Sequence, residues 1–248
     1  MSDISGLDRR FVGINRISEA GPSGKFWPVV FLGGCNLRCP YCLNSEIVEP
    51  SGSTKYIPLD EIIARLDEWW ESGVMISGGE PCMPHPSCGI IEVVKALSGN
   101  GRKVGVSTNG SWPGELNDLL LTGRVSYVAL DCKTSPLRCP SSVSSLGGPE
   151  DLLSRMGLSM FIVQKWHDRH QNVMSEIRTT LYPPLVGQYD IRKIGMMIPR
   201  ESTWVLQQYR KHSAFGSAEV EPYSEEKVKE LFALAKSVRG FNVEMRWP

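Results

Sequence analysis

Short apolar, β-branched runs alternate with longer amphipathic stretches along most of the chain, and this alternation most restricts what it can fold into. The runs at 27–32 (WPVVFL), 73–77 (GVMIS), 103–107 (KVGVS), 125–130 (VSYVAL), 176–181 (EIRTTL), 203–207 (TWVLQ) and 242–247 read as strands. Between them, 59–71, 89–98, 116–121, 151–166, 191–198 and 225–239 read as helices. In 59–71, Ile62, Ile63, Leu66, Trp69 and Trp70 recur at helical spacing, with Asp60 placed as an N-cap after Pro58. Strand–helix–strand order demands a parallel sheet with crossover helices, an α/β fold. Roughly six to eight such units fit the length, and both a barrel and a doubly wound sheet satisfy the pattern. Either architecture puts chemistry on the loops after the strands' carboxyl ends. The segments 45–58 and 135–150, the latter rich in Pro, Ser and Gly, read as surface loops.

The length of 248 residues suits one large domain spanning 1–248, although two small ones also fit. With 41% hydrophobic and 22% charged residues the chain is not of disordered type. Lys+Arg and Asp+Glu both number 27, so the basic surplus of a nucleic-acid binder is missing, and nucleic acid is not an expected partner. A local patch from Arg192, Lys193, Arg200, Arg210 and Lys211 is the one basic concentration to watch. No run approaches the ~20 apolar residues that cross a bilayer, and the first ten residues lack an apolar signal core, so a cytoplasmic protein without membrane contact is expected. Seven cysteines there point to ligands or buried thiols rather than a disulfide framework.

Cys35, Cys39 and Cys42 stand in the spacing CxxxCxxC, preceded by Gly33 and Gly34. Three thiolates so close in sequence can wrap a single iron–sulfur cube from one loop, and three ligands leave one iron open. An open metal position is where chemistry occurs. Structural zinc is the competing reading; it needs a fourth ligand, with Cys82, Cys88, Cys132, Cys139 or a histidine as candidates. On spacing alone the cluster is favoured and zinc stays open.

The triad, with the aromatic Tyr41 before its last cysteine, resembles the signature of the radical S-adenosylmethionine (SAM) superfamily. The resemblance extends along most of the chain. Gly78-Gly79-Glu80-Pro81 after a strand is similar to the family's GGEP motif, and Thr108-Asn109-Gly110 to its TNG segment. Asp131-Cys132-Lys133 resembles the DxK motif of enzymes that install glycyl radicals, and Glu176-Ile177-Arg178-Thr179-Thr180 the ERTT segment of the group that activates anaerobic ribonucleoside-triphosphate reductase. Ser107 stands where those activases often carry an aspartate that helps hold a monovalent cation, which leaves a cation near Asp131 open.

The resemblance implies a partial (β/α)6-type TIM barrel, the radical SAM fold, of parallel strands with outer helices, a cluster loop at 33–45, and 225–247 closing the barrel. It implies a [4Fe-4S] cluster on Cys35, Cys39 and Cys42. It further implies S-adenosyl-L-methionine held by Tyr41, Gly78, Gly79, Glu80, Thr108, Asn109, Asp131, Lys133 and Arg178. For Arg178 a structural ion pair with Glu176 is an equal alternative, since strand alternation puts both on one face. No residue is assigned as a general acid or base. The implied partners are a glycyl-radical protein and an external one-electron reductant of flavodoxin or ferredoxin type.

Three functions are weighed. The first is reductive SAM cleavage that activates a glycyl-radical enzyme. The second is radical modification of a small molecule or peptide in the manner of 7-carboxy-7-deazaguanine synthase, because Ile14 to Glu19 resembles that group's N-terminal substrate strand. The third is a zinc-stabilised binding module. Cys82, Cys88, Cys132 and Cys139 lack the tight CxxC run of a second cluster, His167 and His170 read as solvated, and Trp69 with Trp70 as core.

Overall fold

The computed structural model describes residues 10–16, 21–69, 73–86, 88–135, 149–170, 172–211, 219–240 and 242–247. Eight strands form one sheet in sequence order: β1 (Phe11–Asn15), β2 (Val29–Leu32), β3 (Gly73–Gly78), β4 (Lys103–Thr108), β5 (Val125–Asp131), β6 (Met174–Leu181), β7 (Thr203–Gln208) and β8 (Val243–Arg246). β1 and β2 are antiparallel; every later pair is parallel. Six helices fill the crossovers: α1 (Leu59–Trp69), α2 (Ile90–Leu97), α3 (Pro113–Leu121), α4 (Pro149–Arg169), α5 (Gln188–Met197) and α6 (Glu225–Arg239). Strands β2 to β7 with the helices that follow them therefore make the six βα units of the expected fold, with β8 after the last.

Alternation along each strand sorts the side chains into two sets. One set, including Val30, Leu32, Val74, Ile76, Val106, Val128, Leu130 and Leu206, packs against the helices, which contribute Ile62, Leu66, Val93, Leu116 and Leu231. The opposite set on the inner face forms a separate, smaller cluster of Trp27, Val29, Met75, Tyr127 and Ala129. Trp27 meets Tyr127 edge-on, with ring centroids 6.3 Å apart. The indole is accommodated by missing side chains: a Cβ on Gly73 would lie 2.4 Å from its ring, and one on Gly105 would lie 2.7 Å from the Met75 sulfur.

Four details depart from the sequence reading. β1 was not expected as a sheet strand; FVGIN is short and carries a glycine at an irregular register, so it offers no clean period. Of the segment compared with a substrate strand, Ile14 and Asn15 belong to β1, and 17–20 lie outside the described residues. Helix α1 begins one residue before Asp60, whose carboxylate accepts from the neighbouring Glu61 amide (2.8 Å) within the first turn, while the Pro58 carbonyl accepts from Ile62. Finally, 225–247 does not close the barrel. β8 pairs with β7 and forms one edge of the sheet, with β1 as the other. Among the described residues, no strand pairing joins β1 to β8. Most of the expected loop at 135–150, residues 136–148, lies outside the described residues.

Gly73→Ala drives a methyl group into the rigid Trp27 ring, and overpacking of that kind costs about 1 to 3 kcal/mol. Denaturant unfolding is expected to show that loss, with an unchanged dependence on denaturant.

Candidate active site

All the motif loops lie at the carboxyl ends of β2 to β6. The loop after β2 folds back on itself: Cys35 N–H donates to Val48 O (3.0 Å), Gly34 N–H to Ile47 O (2.9 Å), and Cys42 N–H to Cys39 O (3.0 Å). Gly34 has a φ of 92°, a conformation that glycine adopts freely. The loop after β3 lies directly on it. Glu80 N–H donates to Gly34 O at 2.8 Å, and a Cβ on Gly79 would fall 1.9 Å from that same oxygen. No side chain fits there. Asn44 on the first loop completes the join by donating to Gly78 O (3.1 Å).

The two loops enclose a cavity of about 200 Å³ lined by Cys35, Cys39, Cys42 and Tyr41 on one side and by Gly78, Gly79 and Glu80 on the other. Thr108, Asn109, Asp131 and Lys133 complete it, with Asn44, Ser107 and Thr180 as linings beyond the residues expected to hold SAM. All three cysteines are free thiols. Burial pushes the Cys35 thiol up to about 12, with Glu80 adding to the effect, so cationic metal is needed to hold it as thiolate.

Glu80 is buried and fully engaged. Its carboxylate accepts from Cys82 N–H (2.9 Å), the Thr108 hydroxyl (2.6 Å) and Asn109 N–H (2.6 Å). Burial raises it to about 6, with those three hydrogen bonds opposing the rise, so it is a carboxylate at neutral pH. Across the cavity Lys133 pairs with Asp131 at 3.0 Å. Burial pulls the ammonium down, but Asp131, Cys39 and Tyr41 outweigh it and hold it well above its ordinary value. A second chain of bonds supports the cysteine loop. Asn109 donates to Asn36 (3.2 Å), Asn36 donates to the Ser111 hydroxyl (2.9 Å), and Leu37 N–H points at the Cys35 sulfur (3.4 Å).

The residues present fit a cluster and an amino-acid-bearing nucleoside. Three free thiols on one loop supply the cluster's donor set. The buried Tyr41 hydroxyl, on the cavity wall, has no hydrogen-bond partner, and the Glu80 carboxylate lies across from it. Among the described residues no three His, Cys, Asp or Glu converge on a point as a single ion requires. A cube spreads its sulfur ligands more widely than one ion does. Cys82 and Cys132 are buried thiols and Cys88 is half-buried; Cys139 lies outside the described residues.

Arg178 belongs elsewhere. It is not part of the cavity wall but lies deeper on the inner face, where Nε donates to Glu176 (3.1 Å) and Nη2 to the Tyr127 hydroxyl (2.8 Å). Two residues along the same strand face, Thr180 reaches the cavity instead. The structure thus shows the ion pair with Glu176, the alternative weighed against a SAM contact for Arg178. Arg246 on β8 also pairs with Glu176, at 2.7 Å. Its long-range partner left no mark in the local sequence. His167 is corrected: its Nε2 bonds the Ser175 hydroxyl (2.7 Å), which bonds Ser202 (2.6 Å).

A barrel-type enzyme with a cysteine-lined cavity at the carboxyl ends of its strands is the class this geometry defines. Residues 29–143 match the model of the radical SAM superfamily. A Methanocaldococcus jannaschii protein, provisionally named as a glycyl-radical enzyme activating enzyme, is 27% identical over 228 residues, covering 90% of each chain. The 7-carboxy-7-deazaguanine synthase of Hyperthermus butylicus is 33% identical over 128 residues, 51% of this chain and 52% of the synthase. The crystal structure of Streptococcus suis SuiB bound to S-adenosylmethionine superposes with a TM-score of 0.62 at 14% identity, covering 87% of this chain and 48% of SuiB. The chain thus spans about half the length of the synthase and of SuiB. It has a radical SAM domain match over 29–143, just under half of its length, and is an enzyme whose cofactors are SAM and, by that family, a [4Fe-4S] cluster.

Burial would raise the Glu176 carboxyl, but Arg178 and Arg246 hold it below its usual value of 4.5. A folded value below the unfolded one stabilises the fold above pH 4.5 and is lost as pH falls through the folded value. Glu176→Gln should therefore be less stable than wild type at neutral pH, with the gap narrowing as pH falls below 4.5. Parallel unfolding curves followed by tryptophan fluorescence measure this.

Proposed function

We propose that this enzyme cleaves SAM reductively to activate a glycyl-radical partner protein, of which an anaerobic ribonucleotide reductase is the leading example. The observation that carries the reading is the match to the M. jannaschii protein named as an activating enzyme, which runs along 90% of both chains. The synthase similarity covers about half of this chain. The sheet's lack of pairing between β1 and β8 among the described residues supports it further, because a polypeptide needs a lateral route to a cavity at the strand ends.

In this reading Cys35, Cys39 and Cys42 would hold the cluster with a position left for SAM. Glu80, with the exposed backbone of Gly78 and Gly79, would receive the SAM ammonium, and Thr108 and Asn109 would serve its ribose and carboxylate. Lys133, held by Asp131, would offer a cation to the same carboxylate, and Tyr41 would serve the adenine. Bound there, the cluster and SAM would supply the radical chemistry for hydrogen abstraction from the target glycine. The protein's own residues orient SAM, keep Glu80 ionised and exclude water. No side chain is required to move a proton. A flavodoxin or ferredoxin type of reductant supplies the electron. No helix among the described residues is long and apolar enough to cross a membrane, which accords with a cytoplasmic setting. We read 1–248 as a single domain. A second reading, modification of a small molecule in the manner of the synthase, is favoured by the 33% identity to the H. butylicus enzyme.

Anaerobically reconstituted protein, reductant, SAM and a candidate reductase should give a glycyl spin-resonance signal on the reductase. Deoxyadenosine formed only in the presence of a small-molecule substrate would instead establish the second reading. Cys35→Ala, Cys39→Ala and Cys42→Ala are each expected to lose most of the about four irons bound per chain, as measured by iron and sulfide analysis, while Cys88→Ala keeps them. Glu80→Gln should retain iron and bind SAM about tenfold or more weakly, the usual worth of a charge-assisted hydrogen bond.

A further inference from the structure

The side chain of Asn109, in the segment that follows β4, is fully committed to the protein. Ser111 N–H donates to its Oδ1 at 2.9 Å, and the Ser111 hydroxyl donates to the same oxygen. Its Nδ2 donates to Asn36 Oδ1 (3.2 Å) and to the Cys35 sulfur (3.9 Å). A primary amide has two acceptor positions and two donor hydrogens, so these four contacts use the whole capacity of the group. Asn36, Asn109 and Ser111 are all buried.

The backbone decides which way the amide faces. Ser111 N–H can only donate, so the atom in front of it is the carboxamide oxygen, and the nitrogen is turned toward Asn36 and Cys35. The three side chains then close a ring in which each donates to the next: Asn109 to Asn36, Asn36 to Ser111 (2.9 Å), and Ser111 back to Asn109. Bonds in such a ring polarise one another. Asn36 is the chain neighbour of Cys35, so the ring ties the cysteine loop to the loop after β4. A second donor, Leu37 N–H, reaches the same sulfur from within the cysteine loop at 3.4 Å.

We propose that the Asn36–Asn109–Ser111 ring is a positioning device for the cluster rather than for SAM: it aims the Asn109 amide at the Cys35 sulfur and, with Leu37 N–H, holds the cluster's reduction potential up. The basis is charge. An electron added to an iron–sulfur centre is shared with its thiolate ligands, and an N–H directed at a ligating sulfur stabilises the reduced form more than the oxidised one. Groups in this outer position orient a ligand and tune the metal. With the Asn109 side chain so engaged, its part in holding SAM falls to its backbone. The inference depends on the cluster and not on the glycyl-radical partner.

A redox titration of the anaerobically reconstituted protein without SAM, followed by spin resonance, tests this, with iron and sulfide measured on each sample. Asn109→Ala removes the donor without adding charge. It is expected to make reduction about threefold to tenfold less favourable, tenfold being a fall of about 59 mV for one electron. Ser111→Ala opens the ring by loss of one hydroxyl and keeps the backbone N–H, and a smaller fall is expected. An unmoved or raised potential in either variant that keeps its iron would overturn the proposal. Should Asn109→Ala lose its iron, Ser111→Ala decides alone: a lowered potential supports the ring and an unmoved one overturns it. Iron lost from Ser111→Ala as well would show the ring holding the ligand loop together, and the tuning role would be wrong. None of these results depends on whether a glycyl radical forms, so the activating role stands or falls separately.

Discussion

The site depends on the contact between two backbone segments, the loop after β2 and the loop after β3. Glu80 N–H bonds to Gly34 O at 2.8 Å, and the approach is possible because Gly79 has no Cβ. That contact sets the thiols of Cys35, Cys39 and Cys42 against the Glu80 carboxylate across one cavity. Thr108 and Asn109 follow from it, since they bond to Glu80 and thereby tie β4 to β3. A side chain at position 79 would separate the loops and dissolve the arrangement at its origin. Glycine here serves the geometry of the backbone rather than its flexibility.

A half-closed sheet gives the rest of the molecule its logic. Helices cover the outer face with a continuous apolar core, while the inner face is plugged at depth by Trp27 and, among the described residues, its edge strands β1 and β8 are not paired with each other. The plug makes the inner face a floor rather than a channel. Chemistry is thereby confined to the carboxyl ends of the strands, where chain direction places every motif loop. The open edge leaves room for a substrate to approach from the side without disturbing the loops that hold the cofactors.

Much of this was legible in the sequence because its signals are local. Strands such as VVFL and VSYVAL and the helix at 225–239 announce themselves by period, and CxxxCxxC, GGEP and TNG are contiguous in the chain. What escaped was set by distance in sequence. β1 has no clear alternation and becomes a strand by pairing with β2 across a bulge. Thr180, which lines the cavity, and Arg178, which does not, are two residues apart on one face of β6. Periodicity puts them on the same side but cannot say at what depth each meets the cavity. Arg246, 70 residues from Glu176, has no local signal at all.

The place of Arg178, paired with Glu176 below the cavity, bears on where specificity resides. Motif resemblance locates the reagent, because the groups that hold a common cofactor recur in contiguous loops. A substrate differs from enzyme to enzyme and is met by side chains gathered from separate strands. On the inner face of β6 and β8, Arg178 and Arg246 outweigh the burial of Glu176 and hold its carboxyl below the usual value. The sequence code for a substrate is thus dispersed over the strands rather than written in any one motif.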